Sequence, residues 1–130
     1  MKAEDMDTAE LVRQGYEALS NHDWEALGQL LVTDMRLERA PGLGSVAGAE
    51  SVLGFARPDA FEWQRFEPQP GVIERGDKLL VPLVVRARGR DSEIEVVQDF
   101  FHVITRRAGR IARVAVHTDR AAALADLERP

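Results

Sequence analysis

The chain has 130 residues with no cysteine, is 45% hydrophobic and 30% charged, and carries a formal net charge of −5 at pH 7. Its length suits one domain with its own core, and its composition is that of a globular protein rather than a disordered or membrane-spanning one. The acidic balance argues against nucleic-acid binding, which requires a basic surface, and the lack of cysteine excludes disulfides and thiolate chemistry.

The first six residues, MKAEDM, are expected to form a flexible tail. No basic-then-apolar signal sequence and no apolar run of membrane-spanning length is found, which favours a cytoplasmic location. No repeat, linker or low-complexity tract divides the chain. Residues 1–130 are therefore predicted to form a single domain.

Helical patterns dominate the first half of the chain. Asp7 begins a capping-box pattern ahead of an amphipathic helix, and Asp23 is positioned to cap a second helix. A short strand is predicted over 34–39, followed by a Pro-Gly-rich loop and a brief third helix over 48–56. The expected inward stripe of the first helix consists of Val12, Tyr16 and Leu19.

From residue 61 onward the pattern changes to strands. The longest β-patterned stretch, 94–119, consists of two runs joined by Ala108-Gly109, which suits a two-residue hairpin turn. A preceding strand over 78–88 contains Pro82, which cannot donate to a ladder and predicts a bulge or an unpaired edge. Residues 120–127 resemble a closing helix.

The predicted hairpin places Arg107 opposite Arg110, which sets the faces of both strands. One face then carries Gln98, Phe100, His102, Ile104, Arg113, Ala115, His117 and Asp119. The other face carries Phe101, Val103, Val114 and Val116 among others. Because both faces include apolar side chains, one is expected to pack on the helices and the other on a second subunit, giving a homodimer through the convex face of the sheet.

Charge pairing sets the expected register of the preceding strand. Arg88 is placed near Glu93, and Arg86 near Glu95, because opposite charges across a hairpin stabilise it. This register puts four apolar residues on the face of His102, namely Leu79, Val81, Leu83 and Val85.

Three segments carry a resemblance to a known family: LVRQGYEALSNHDWEALGQLL at 11–31, GAESVLGF at 48–55, and the long hairpin with AGRI followed by VHTD. Their order resembles the SnoaL-like branch of the nuclear transport factor 2-like superfamily. The resemblance implies an α+β cone, in which N-terminal helices pack on a strongly curved, mixed or antiparallel sheet that encloses a pocket. It also implies frequent homodimers through the outer sheet face.

The resemblance also implies roles for individual residues. Ketosteroid isomerases of this superfamily use a first-helix tyrosine, similar to Tyr16, and a hydrogen-bonding acid on the long strand, where His102 lies. Their aspartate base at the end of the first strand is replaced here by Arg39. Epoxide hydrolases bracket a pocket arginine with aspartates, of which Arg113 and Asp119 supply part, and Asp119 is also a match for the acid/base aspartate of polyketide cyclases.

The candidate catalytic residues are His102, His117 and Asp119. His102 can act as an acid or base near neutral pH, or be a core histidine that a neighbour satisfies. His117 and Asp119 lie two residues apart, so Asp119 can orient His117 as in a dyad, although this spacing also arises by chance. The three together would match a two-histidine, one-carboxylate metal set, but nothing else supports a metal or cofactor, and none is predicted.

The candidate ligand-binding residues combine aromatic and basic side chains with one amide: Tyr16, Trp24, Arg39, Trp63, Gln98, Phe100 and Arg113. Arginines on a pocket wall favour acidic ligands, and the alternative for both is a structural ion pair. The aromatic residues either pack the core or contact the ligand. The sequence thus predicts a pocket for a small apolar or weakly acidic molecule, in either an isomerase-, cyclase- or hydrolase-type enzyme or a non-catalytic binding or dimerisation module.

Overall fold

The computed structural model describes residues 6–56 and 61–130. In this part of the chain the helices are α1 (Thr8–Ser20), α2 (Trp24–Gln29), α3 (Ala49–Ala56) and α4 (Arg120–Glu128). The strands are β1 (Leu31–Glu38), β2 (Ser45–Ala47), β3 (Phe61–Pro68), β4 (Ile73–Arg75), β5 (Lys78–Gly89), β6 (Glu95–Arg107) and β7 (Arg110–His117). The helices pack on a curved, unclosed mixed sheet, which confirms the predicted α+β fold.

The flexible tail predicted for residues 1–6 lies outside the described residues except for Met6, whose side chain is buried in the core. No helix in the described part of the chain is long and apolar enough to cross a membrane. The cytoplasmic location stays a prediction.

The sheet is organised around strand β6. The strand order is β2-β1-β7-β6-β5-β3, with β4 beside β5. Strand β1 runs parallel to β7, and every other pair among the described strands is antiparallel. Since β6 is 13 residues long and pairs on both sides, its alternating side chains define an inner face, toward α1, and an outer face.

Side-chain caps begin the first two helices where the sequence predicts them. The Asp7 carboxylate accepts a hydrogen bond from the Glu10 amide at 2.7 Å, and Asp23 accepts one from the Ala26 amide at 3.1 Å. These bonds satisfy N–H groups that the helix itself leaves free. The buried stripe of α1 includes Leu11, Val12 and Tyr16.

The turn between β6 and β7 is the predicted two-residue turn. Ala108 has a φ of 53° and Gly109 a φ of 77°, which is the backbone of a primed hairpin turn. Arg107 faces Arg110, so the predicted register is confirmed at the turn itself.

One extra residue in β7 then shifts the register. Arg106 faces Ile111, but the next residue of β6, Thr105, faces Arg113, so Ala112 has no partner of its own. This is a β-bulge, and a one-residue bulge turns every following side chain to the opposite face.

The bulge makes one sequence prediction wrong. His102 faces Val116 rather than Ala115, so Val116 shares the inner face with His102. Arg113 and His117 instead project from the outer face. The predicted common wall of His102, Arg113 and His117 therefore does not form.

The register of β5 against β6 also differs from the prediction, but without changing the faces. Arg88 lies opposite Glu95 rather than Glu93, which is a shift of two residues. Because side chains alternate with a period of two, this shift keeps each side chain on its predicted side. The residues opposite Ile104, His102 and Phe100 are Leu79, Val81 and Leu83.

Pro82 lies at a break in the ladder along β5. Strand β4 pairs with β5 up to Leu80, and β3 pairs with it from Leu83. The Pro82 carbonyl accepts a hydrogen bond from the Gln69 amide at 2.8 Å. In an antiparallel strand the N–H and the C=O of one residue point to the same side, so the N–H that proline lacks would also have pointed into this break. The prediction of an interrupted edge at Pro82 is confirmed.

Helix α4 covers part of the outer face. Val103 is 0% exposed and packs with Ala123 and Leu127 of α4 in a second core cluster. Val114 and Val116, which were assigned to the outer face, line the inner side. Of the apolar residues predicted to contact a partner subunit, Val103 is therefore covered by α4 of the same chain, and Val114 and Val116 point inward, away from the outer face.

A buried carboxylate fastens α4 to the sheet. Asp126 is 2% exposed, and its two oxygens each lie 3.1 Å from a guanidinium nitrogen of Arg113. His117 Nε2 lies 2.8 Å from the same carboxylate, and Lys78 donates to the Asp126 carbonyl at 2.9 Å. Burial alone would raise the pKa of Asp126, but the hydrogen bonds from Arg113 and His117 outweigh it, so the pKa is lowered and the carboxylate stays ionised.

We expect Asp126→Asn to lower the free energy of unfolding by about 3 kcal/mol, because it leaves the Arg113 guanidinium without its buried counter-charge. The matched control is Glu128→Gln, also on α4. It removes an exposed ion pair with Arg75 of β4 and should lower the free energy of unfolding by less than about 1 kcal/mol. Urea unfolding of both variants measures the difference, and equal effects would contradict this role for Asp126.

Candidate functional site

An apolar cavity of about 430 Å³ lies between helix α1 and the inner face of the sheet. The described part of the chain contributes 21 lining residues, from helices α1 to α3 and strands β1, β3, β5, β6 and β7. Three of these described residues carry a hydrogen-bonding side chain, namely Tyr16, Gln64 and His102, and none of the 21 is ionised near pH 7. The volume lies within the range of about 300–1,000 Å³ typical of small-molecule sites.

Tyr16 and His102 join helix α1 to strand β6 in the cavity wall. The Tyr16 hydroxyl lies 2.8 Å from His102 Nδ1, and both residues are buried. Burial, with a smaller contribution from nearby His117, lowers the pKa of His102 to about 4. Burial also raises the pKa of Tyr16 well above its usual value near 10. Both side chains are therefore neutral at pH 7.

The Tyr16–His102 pair can donate a hydrogen bond to a ligand in either tautomer of the imidazole. If the Tyr16 hydroxyl donates to Nδ1, the proton of His102 lies on Nε2, which has no hydrogen-bond partner among the described residues. If Nδ1 carries the proton, it donates to the Tyr16 oxygen and leaves the phenolic proton available. Each arrangement supplies one neutral donor in an apolar wall.

Aromatic rings surround this pair. The Phe66 ring stacks on Tyr16 with centroids 6.5 Å apart, and the Phe100 ring lies 6.4 Å from His102. Phe66 and Phe100 both line the cavity. The sequence prediction thus placed Tyr16, Phe100 and His102 in one pocket, and the structure brings all three together.

Three other predicted pocket residues lie outside the lining. Gln98 is exposed beyond the end of the cavity, and Trp24 packs against the edge of the core, stacked on His22. Trp63 lies on the outer face, where the Arg65 guanidinium is 5.1 Å from its ring centroid. The residue of β3 that lines the cavity is Gln64, one position along the strand from the predicted Trp63.

Arg39 lies at the cavity rim. Its guanidinium carbon is 4.7 Å from the centroid of Phe55, a lining residue that is 48% exposed and so borders both the cavity and solvent. Arg39 Nη1 donates to the Leu43 carbonyl at 3.2 Å. Arg39 therefore presents a positive charge at the entrance rather than within the wall.

The predicted catalytic dyad does not form. His117 contacts Asp126 on the outer face, whereas the Asp119 carboxylate accepts a hydrogen bond from the Ala122 amide at 3.0 Å as the N-cap of α4. Arg113 binds Asp126 and Glu38, so it is the structural ion pair that was the alternative to a ligand contact. Of the three candidate catalytic residues, His102 alone reaches the cavity.

A metal site from these residues is not assembled either. His102 and His117 project from opposite faces of the sheet, so they cannot join Asp119 around one ion. Across the described ranges, no group of three histidine, aspartate or glutamate side chains is placed to hold a metal.

Sequence reasoning missed the inward direction of Val114 and Val116, although a signal for it exists. With strict alternation, Ile111 would share a face with Arg113 and His117, and Val114 and Val116 would lie on the other face. An apolar inner face requires Ile111, Val114 and Val116 on the same side of the sheet, and one extra residue at Ala112 achieves this.

Solved structures of similar shape cover nearly the whole chain. TerC, co-crystallised with polyporic acid, has a TM-score of 0.74 at 20% identity, covering 93% of this chain and 98% of TerC. A nuclear transport factor 2-like protein of unknown function from Burkholderia pseudomallei K96243 has a TM-score of 0.74 at 23% identity, covering 99% and 100%. An LEH-like epoxide hydrolase of M. tuberculosis has a TM-score of 0.71 at 18% identity, covering 91% and 86%. These likenesses establish the fold.

Among curated protein sequences, none matches this chain. The family model described as SnoaL-like domain, however, matches residues 12–114, which run from the first turns of α1 to the inward-facing part of β7. The match therefore spans most of the elements that build the cavity and includes both Tyr16 and His102. On this match and the shared fold, the chain belongs to the SnoaL-like domain family.

Proposed function

We propose that the cavity binds a small, largely apolar organic molecule, and that an oxygen of this molecule accepts a hydrogen bond from the Tyr16–His102 pair. The observation that carries this proposal is a buried pair of hydrogen-bonding side chains in a wall whose other described residues, apart from Gln64, are apolar. A buried donor without a partner costs about 1–3 kcal/mol, so a ligand oxygen that satisfies it gains affinity and orientation. TerC, a protein of the same fold, was co-crystallised with an organic molecule, which supports this ligand class.

Binding without turnover is the function that the geometry supports best. Among the described residues that line the cavity, none is a carboxylate that could remove a proton from carbon. His102 is a weak base at pH 7, because burial lowers its pKa to about 4.

An isomerase-, cyclase- or hydrolase-type reaction is the second candidate. The Tyr16–His102 pair favours it, because a neutral donor in a dry site can stabilise negative charge that develops on a substrate oxygen. In such a reaction Tyr16 and His102 would polarise the oxygen, with His102 as the acid/base residue. The roles first considered for His117 and Asp119 have no support, since both lie outside the cavity.

Native mass spectrometry of protein purified from its own host tests the binding proposal. We expect the wild type to retain a small organic molecule and Val116→Trp to lose it, because the larger side chain fills the cavity from a lining position. A control variant, Leu43→Trp, adds the same ring to an exposed loop and should retain the molecule. Equal retention by both variants would place the molecule elsewhere and contradict the proposal.

The retained molecule also separates binding from catalysis. If the protein converts it, His102→Ala should lower the rate by about 10²–10⁴-fold while binding persists, as expected for an acid/base group. Asp119→Asn is the control, since Asp119 caps α4 away from the cavity. If the wild type binds the molecule without converting it, the protein is a carrier or sensor.

The buried neutral His102 predicts a specific dependence of stability on pH. The unfolded chain protonates this histidine below about pH 6.5, whereas the folded chain does so only near pH 4. Stability is therefore lost as pH falls through this window, by up to about 3 kcal/mol at about 1.4 kcal/mol per pKa unit.

We expect His102→Asn to remove this loss, so that its unfolding free energy changes less than that of the wild type between pH 7 and pH 4. The matched control is His22→Asn, which removes an exposed histidine at a φ of 56° that asparagine tolerates. Chemical denaturation across the pH range measures both. A wild-type and His102→Asn pair with parallel pH profiles would contradict a buried neutral imidazole.

We also propose a homodimer through the part of the convex face that α4 leaves uncovered. Val97 on β6 is 53% exposed there, beside Arg86 of β5. The arginines of β5 adjoin the acidic Glu95 and Asp99 of β6 on this face. Arg86 and Arg88 also pair with Glu67 and Glu62 of their own chain. A two-fold rotation that sets these arginines over Glu95 and Asp99 of the partner would make the face complementary to itself.

We expect Val97→Glu to shift the wild-type dimer toward monomer, because it adds a charge at the centre of this face. Leu43→Glu is the control, as it makes the same change at a similarly exposed loop position. Sedimentation at micromolar concentration measures both variants. A monomeric wild type, or a dimer unaffected by Val97→Glu, would contradict the interface.

A further inference from the structure

The inward-facing side chains of strand β1 are followed by a cation just beyond the end of the strand. Met35 and Leu37 line the cavity, and Arg39 is the first residue after β1, which ends at Glu38. Its guanidinium lies over the ring of Phe55, which is in contact with both cavity and solvent. The apolar wall therefore passes directly into a positive charge at the rim.

The described residues leave hydrogen-bonding capacity on this guanidinium unused. Of its five N–H groups, one from Nη1 is directed at the Leu43 carbonyl. No carboxylate of the described residues forms an ion pair with Arg39, whereas Arg86 and Arg107 each have one such partner and Arg113 has two. The contacts with Leu43 and Phe55 hold the side chain in place without neutralising it.

The surroundings favour a ligand anion at this position. A half-buried arginine is less hydrated than a fully exposed one, and its planar fork matches the two oxygens of a carboxylate. The described lining offers a ligand neutral donors, at the Tyr16–His102 pair and at Gln64, and no charge. An ionised group would be unfavourable inside the cavity and favourable at the rim.

We propose that the ligand is an amphipathic organic anion, whose apolar body fills the cavity and whose carboxylate or similar oxyanion binds Arg39 at the rim. This inference rests on the proposed function, because it assigns the ligand class of the same cavity. Arg39 is then the residue that selects acidic over neutral molecules of equal size.

Two fluorescent probes with the same ring system test this selection. 8-Anilinonaphthalene-1-sulfonate carries an oxyanion, and N-phenyl-1-naphthylamine lacks it. We expect Arg39→Gln to weaken binding of the sulfonate by about 10-fold or more, as for a hydrogen-bonded charge pair, and to change the Kd of the neutral probe by less than about two-fold.

The matched control is Arg36→Gln, which removes the same charge three residues earlier in the chain, on the outer face of strand β1. It should leave the Kd of both probes unchanged, since only long-range attraction is lost. Val116→Trp should abolish binding of both probes, which assigns them to the cavity.

The outcomes separate the two proposals. If the neutral probe binds the wild type but Arg39→Gln weakens neither probe, or weakens both equally, the role of Arg39 is overturned while the cavity remains a binding site. If Arg36→Gln and Arg39→Gln lose equal affinity for the sulfonate, the loss reflects the net charge of the protein, and the role of Arg39 is again overturned. If neither probe binds the wild type, or Val116→Trp leaves binding intact, the proposed cavity function fails and this inference fails with it.

Discussion

The unpaired residue Ala112 in strand β7 decides the chemistry of both faces of the sheet. Before it, Ile111 points inward, and after it the inward positions fall to Val114 and Val116. Without this bulge, Arg113 and His117 would project into the cavity, where no described lining residue is a carboxylate that could pair with them. The bulge therefore keeps the described lining of the cavity free of charge and directs Arg113 and His117 to the Asp126 carboxylate of α4.

The buried polar side chains are neutral on the inner face of the sheet and ionised under α4, according to the partners that each environment provides. On the inner face, Tyr16 and His102 stay neutral because burial penalises their charged forms. Under α4, Asp126 stays ionised at similar burial because Arg113 and His117 donate to it. The difference between a neutral donor pair and a structural ion cluster thus lies in whether a counter-charge is within hydrogen-bonding distance.

This division also bears on how the cavity could work. In the proposed complex, the Tyr16–His102 pair would orient an oxygen of the ligand inside the cavity, and Arg39 would bind the charged end of the ligand at the rim. These two polar contacts would fix the direction of an elongated molecule. Just beyond the end of β1, the Arg39 guanidinium lies over the Phe55 ring, so the described rim of the cavity carries a cation rather than a proton acceptor.

The sequence by itself determined the features that depend on a few neighbouring residues: the capped helices, the Ala-Gly turn and the β-branched strands, because caps, turns and spacing act locally. It also predicted one pocket for Tyr16 of α1 and for Phe100 and His102 of β6, since the extra residue of the bulge lies in β7 and leaves the alternation within β6 unchanged. Only the tertiary structure decided the partners of His117, because the Ala112 bulge reverses its direction and Asp126 reaches it from α4, which packs on the outer face. Strand faces beyond a bulge are set by the packing of the whole sheet and its helices, which short-range patterns do not encode.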